Sequence, residues 1–306
     1  MNHQKASTIH YVGVMGATVL WGVNIVLLKV LVESFAPVTM TAFRILTAGL
    51  VLAGIAIAWK QTRKLTKREW SYVLAAGVLG VFAHHLFLSI GLLRIPASTA
   101  VLLLGLVPVV TAVCSGIFLR ETFTWWKIGG IGLAFVGVLF VQGGGTHFGQ
   151  GTVYLLIAVL VQAISFIFVR KASETLSAIQ VTMISLVAGA IMLFIASLRI
   201  EPDGISTLGS GSTLLYSIFL FSAIGSTAAG QLLFNLSIGR IGPSKSALFL
   251  NFVPFFGLAS SAIFLKEVIY WYQWCGFLFI VMGVLFGTGY VERSLLRHHH
   301  QSKKTA

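Results

Sequence analysis

The run GVFAHHLFLSI, residues 80–90, sets two adjacent histidines inside an otherwise apolar stretch. A neutral imidazole carries one donor and one acceptor, and the ring titrates near neutral pH. The pair could therefore bind a polar ligand, carry a proton, or tie one helix to its neighbours. On a helix, His84 continues a stripe of small residues at Gly77 and Gly80, with Gly91 further along, a pattern that marks close helix contact. His85 lies about 100° round the axis and shares a face with Ser89. His85 is the expected cavity-facing ring and His84 the packing ring. The expected form is neutral, because an imidazolium is costly away from water.

Other polar residues interrupt the apolar runs. Trp21 and Asn24 share one side of the first run; Gln162 and Ser165 take the corresponding places in the sixth, once Lys29 is set opposite Arg170. Gln231, Asn235 and Asn251 add amides further on. Each is either a cavity-lining ligand or an interhelical hydrogen bond, and recurrence in both halves of the chain favours a lining. Lys29 and Arg44 fall near the outer ends of their runs, as snorkelling residues or as a mouth or gate for anionic groups, with Glu33 placed to pair with Lys29. Glu121 and Glu267 fall at run ends and are expected to pair with helix ends and loops. Pro108 and Pro254 each remove a backbone hydrogen bond in mid-run and are expected to kink their helices. Gly283 and Gly287, four apart, permit close packing, internal or between subunits.

Much chemistry is excluded. No Asp or Glu falls in mid-run, which disfavours a carboxylate-driven proton antiporter. Deep Lys/Arg pairs suited to sugar phosphates are not expected. The two cysteines, Cys114 and Cys275, give neither a disulfide framework nor a metal site, and no hydrolase or phosphate-loop motif occurs. No catalytic residue, metal or cofactor is assigned.

These side chains must be held by elements of an unusual kind. The 306 residues are 57% hydrophobic and only 9% charged, with a mean hydropathy of +0.93, whereas soluble domains carry about 25% charged residues. Ten apolar runs approach the ~20 residues that cross a bilayer: 11–32, 39–59, 70–92, 97–119, 125–142, 151–169, 178–198, 214–236, 244–265 and 270–290. The net charge of +13 reads as basic loops beside anionic lipid rather than a nucleic-acid surface. Taking alternate loops with the N-terminus inside, one face collects the cluster Lys60, Arg63, Lys64, Lys67 and Arg68 and both tails, while the other holds only Lys29, Arg44, Arg94, Arg199 and Lys266. That bias of about three to one predicts that both termini are cytoplasmic.

The chain also repeats itself. Shifted by 146 positions, RIPASTAVLLLGLVPVVTAVCSGIFLRETFTWW lies on RIGPSKSALFLNFVPFFGLASSAIFLKEVIYWY, so that Pro108 meets Pro254 and Glu121 meets Glu267. Five runs per repeat is an odd number, so the second copy enters the membrane from the opposite face. The expected organisation is a tail (1–10), a five-helix repeat (11–142), a Gly-rich linker (143–150), a second five-helix repeat (151–290) and a basic tail (291–306).

WGVNIVLLK from Trp21, FAPVTMTAFRILTAGLVL around Arg44 and the duplicated Pro-Glu-Trp blocks resemble the EamA-type drug/metabolite transporter superfamily, over most of the chain. The resemblance implies ten helices round a central cavity and export of amino acids or related metabolites. The expected protein is an all-α, multi-pass protein of the cell membrane, a secondary transporter of small molecules embedded in lipid, with a homodimer open. An exporter of amphipathic drugs, lined by the 23 Phe, seven Trp and seven Tyr, and a membrane-embedded enzyme using the histidine pair are the alternatives. Inverted duplication favours transport.

Overall fold

A computed structural model describes residues 2–119, 124–143, 149–234 and 249–290. Calls on Glu121, Asn235, most of the linker and the C-terminal tail lie outside these. The described residues are helical without strands. Apolar side chains throughout leave the backbone to satisfy its own hydrogen bonds, and helices do so within each segment. Seven helices are long and apolar enough to cross a membrane, and three shorter apolar helices, Trp125–Val141, Leu250–Phe264 and Trp271–Gly287, accompany them.

In chain order the α-helices are α1 (Asn2–Ser34), α2 (Pro37–Ala58), α3 (Lys67–Ala76), α4 (His84–Leu92), α5 (Ala97–Leu104), α6 (Val107–Leu119), α7 (Trp125–Val141), α8 (Gln150–Ala172), α9 (Ala178–Ile200), the single turn α10 (Gly204–Thr207), α11 (Thr213–Leu220), α12 (Val253–Phe264) and α13 (Trp271–Gly287). Their starts follow local chemistry. Thr66 and Glu69 form a capping box at α3, Ser177 accepts from Gln180 N at α9, Ser212 accepts from Leu215 N at α11, and Pro37 occupies the first turn of α2.

Two spans contain π-helical segments, Gly77–Ala83 between α3 and α4 and Phe221–Ala229 after α11. The 146-residue shift places the first on residues 223–229, inside the second. The prolines interrupt their spans at matching places as well. A turn at Gly105 and Leu106 precedes Pro108, and a 3₁₀ turn, Leu250–Phe252, precedes Pro254. The two breaks touch: a Cβ on Gly105 would lie 2.9 Å from Pro254 Cγ.

Glycines set the closest helix contacts. A Cβ on Gly130 would lie 2.2 Å from Gly287 N and 2.7 Å from Gly283 O, and one on Gly137 would lie 2.9 Å from Gly276 O. Residue numbers run in opposite senses, so α7 and α13 pack antiparallel, backbone against backbone. Gly283 and Gly287 thus make an internal contact. α2 and α9 form a second antiparallel pair, joined at both ends. Glu201 accepts from Val38 N (3.0 Å) and Thr39 N (2.8 Å), while at the other end Gln180 Nε2 donates to Arg63 O (2.6 Å) and Ser177 Oγ to Gln61 O (3.1 Å). Glu267 holds the start of α5, accepting from Ala97 N (2.8 Å) and Ser98 N (2.9 Å). The core runs across these contacts, with Leu31, Leu92, Leu103, Leu155 and Leu258 fully buried.

Candidate functional site

The site is built where α1 and α2 meet the second π-helical segment, with α4 packed against α1 and α2. A π turn shifts backbone bonding from the regular i−4 ladder to i−5, and two carbonyls of this one accept from side chains. Trp21 Nε1 donates to Ser226 O at 3.1 Å. Thr227 Oγ1 donates to Ser222 O at 2.9 Å, within the segment itself. Ser222 Oγ donates to Asn24 Oδ1 at 2.6 Å. Trp21 also lies 5.1 Å, ring to ring, from Phe234.

Arg44 completes this network from α2. Its Nη1 donates to Thr227 Oγ1 at 2.8 Å and makes a longer contact with Ser222 Oγ at 3.5 Å. Sequence reasoning set Arg44 near an outer end, as a mouth, gate or snorkelling residue. The structure encloses it: it is 0% exposed, about 10 Å along α2 from Pro37. The other gate candidate, Lys29, is 9% exposed and donates to Leu92 O and pairs with Glu33, both at 2.9 Å. Arg44 is thus a buried basic group rather than one at the surface of the fold. The hydroxyls that hold it sit on a segment far away in the chain, and nothing near Arg44 in the sequence announces them.

Beside the guanidinium lies a narrow crevice, closed in this conformation so that it does not admit even a water molecule. Its polar lining residues are Thr41, Arg44, His85 and Ser89, and its apolar ones are Leu28, Val32, Leu88 and Leu92. Thr41 Oγ1, Arg44 Nε and Nη2, and His85 Nδ1 are all buried without a hydrogen-bond partner among the described residues. Buried polar atoms are paired in the great majority of cases, so four unpaired atoms on one crevice mark it out. No carboxylate among the described residues pairs with Arg44.

The other sequence-predicted residues divide. His84 Nδ1 lies 3.0 Å from Ala158 O and its ring meets His85 edge-on, centroids 4.9 Å apart. Gln162 and Ser165 do not reach the crevice. Ser165 Oγ donates to Gln162 O (2.7 Å), and both pack over Gly80, where a Cβ would lie 2.4 Å from Ser165 Oγ. They therefore rest on the first π-helical segment as Trp21 and Asn24 rest on the second. Gln231 lies two residues beyond the second segment and is partly buried, and Asn251 lies in the 3₁₀ turn before Pro254. Sequence reasoning missed Thr41, Ser222 and Thr227. Their one signal was hydroxyls in apolar runs, shared with many residues that only bond their own helix, as Thr47 does with Phe43 O.

Comparisons with known proteins give this geometry its context. The chain is similar to an uncharacterized transporter of Archaeoglobus fulgidus, 28% identical over 81% of this chain and 87% of that protein. It is similar to the S-adenosylmethionine/S-adenosylhomocysteine transporter of Chlamydia trachomatis serovar L2, 25% identical over 76% and 73%. It also resembles a Streptantibioticus cattleyicolor protein named "Probable terminal-alkyne amino-acid exporter", 25% identical over 82% and 83%. A protein of known crystal structure shares the fold with a TM-score of 0.66 at 17% identity, over 94% of this chain and 98% of its own. The EamA-like transporter family matches residues 8–142 and 149–288. With apolar helices along its length and that match over most of its residues, the chain is a multi-pass membrane protein and belongs to the EamA-like transporter family.

Proposed function

We propose that this transporter exports amino acids or closely related metabolites across the cytoplasmic membrane. Ten spans form two five-helix repeats of opposite orientation, 11–142 and 151–290, joined by the linker 143–150, and the transporter works by alternating access. Both termini are cytoplasmic. The observation that carries the reading is reciprocal packing. Trp21 and Asn24 of α1 hold the second π-helical segment, and Gln162 and Ser165 of α8 cover the first. Halves that grip each other's interrupted helix in the same way have inward- and outward-open arrangements of similar energy, and a binding site at their junction.

The end contacts are consistent with this topology. With the N-terminus inside, Glu201 and the start of α2 fall on the outer face, as do Glu267 and the start of α5, while Arg63, Gln61 and Gln180 fall on the inner face. The substrate class draws support from two relatives. S-adenosylmethionine and a terminal-alkyne amino acid both carry an α-amino carboxylate. Substrate reaches His85, Asn24 and Trp21 at the junction. The test is a metabolite screen of the medium from cells that overexpress or lack the protein. At least one amino acid or derivative should accumulate outside with overexpression and fall with deletion; identical media would overturn the proposal.

A further inference from the structure

We infer that Arg44 and Thr41 form a carboxylate subsite that takes the acid group of an aliphatic α-amino acid, with His85 placed to receive its ammonium. The inference deepens the exporter reading above and rests on it for the identity of the site.

Removing a guanidinium from water costs several kcal/mol unless charge or hydrogen bonds compensate. Arg44 is fully enclosed, yet only Nη1 has partners, and both are neutral hydroxyls. Nε and Nη2 are unpaired among the described residues. Those two groups form the edge of the guanidinium fork that binds a carboxylate through two parallel hydrogen bonds. Thr41 lies three residues before Arg44, on the same face of α2, and lines the same crevice with its own Oγ1 unpaired. A threonine hydroxyl is a third donor to the same acid group. His85, across the crevice on α4, offers an unpaired Nδ1 that accepts from the substrate ammonium.

Charge decides between anions. One guanidinium beside neutral groups balances one negative charge, which suits a carboxylate better than a phosphate dianion. The apolar lining residues decide the rest of the ligand. Leu28, Val32, Leu88 and Leu92 supply no polar partner, so they suit an aliphatic side chain. Substrate binding would also satisfy Arg44 Nε and Nη2, which the described residues leave unpaired. The guanidinium bridges substrate on α1, α2 and α4 to Thr227 of the second half, so occupancy and the junction between halves are linked through one side chain.

The experiment uses the full chain purified in detergent, with Tm measured against each of the twenty common amino acids, then against the amide of every amino acid that raises Tm. Wild type should bind acids and lose roughly 10- to 100-fold in affinity for the amides. Arg44→Gln should abolish the distinction between acid and amide. Arg44→Lys, which keeps the charge without the fork, should weaken acid binding about tenfold, and Thr41→Val a few-fold. If Arg44→Gln fails to fold, the acid–amide comparison on wild type and Thr41→Val decides. Equal binding of acid and amide by wild type would overturn the subsite while leaving amino-acid export standing. A Tm that no amino acid raises would also overturn it, and the medium screen then judges export separately.

Discussion

Arg44 Nη1 and Thr227 Oγ1 meet at 2.8 Å although 183 positions separate them in the chain. The bond has a consistent direction of donation. Thr227 gives its own proton to Ser222 O and accepts from Arg44 through a lone pair. Ser222 gives its proton to Asn24. One cation on α2 is thereby tied to α1 through the π-helical segment of the opposite half.

Thr227→Val removes the acceptor that best matches Arg44 and leaves a buried charged donor with a 3.5 Å contact alone. The variant should lose about 1–3 kcal/mol of stability, seen as a lower Tm in detergent, and Thr227→Ser should restore most of it. Equal Tm for Val and wild type would show that the bond contributes nothing.

The histidines should separate by phenotype. His85→Ala should lower transport about two- to tenfold through one lost hydrogen bond to substrate, with membrane abundance close to normal. His84→Ala loses the bond to Ala158 O and should act through abundance. Liposome assays normalised to inserted protein distinguish the two. Unchanged transport by His85→Ala between pH 6 and 8 counts against its binding role.

Two neighbouring glycines on α7 give a controlled comparison. Gly130→Ala drives a methyl into the backbone at Gly287, and overpacking of this kind costs about 1–3 kcal/mol. At Gly129 no atom lies within 4 Å of an added Cβ, so Gly129→Ala should be neutral or stabilise by up to about 1 kcal/mol through helix propensity. Thermal denaturation of both variants checks the seam.

Topology is open to labelling. In a background without Cys114 and Cys275, Lys64→Cys and His300→Cys should react with a membrane-impermeant thiol reagent only after permeabilisation. Asp203→Cys, on an exposed turn, should react in intact cells. The reverse pattern would invert the proposed orientation.

The apolar runs, the repeat and the helix-ending role of Glu267 could be read in the sequence because each depends on local composition or on a shift of one segment against another. Gly283 and Gly287 announced close packing through their spacing alone. The π-helical segments could not be read, since GVLGVFA and FSAIGSTAA carry the same small and apolar residues as ordinary helix. Arg44 was legible as a candidate, but its full enclosure was not. Its sequence neighbourhood suggests a span end, and its enclosure depends on Ser222 and Thr227, which only tertiary packing brings near. The sequence sets Trp21 and Asn24 against Gln162 and Ser165, but what each pair touches belongs to the opposite half.

The seam between α7 and α13 maps onto itself. Under the 146-residue shift Gly130 becomes Gly276 and Gly137 becomes Gly283, so the Gly130–Gly283 contact is the image of Gly137–Gly276. Contacts at one end of this helix pair are thus repeated at the other, and flexing the seam toward either face of the membrane breaks equivalent interactions. Such a joint has no ratchet. Where the packing repeats, the chemistry does not: the same shift sets His85 in one half against Gln231 in the other.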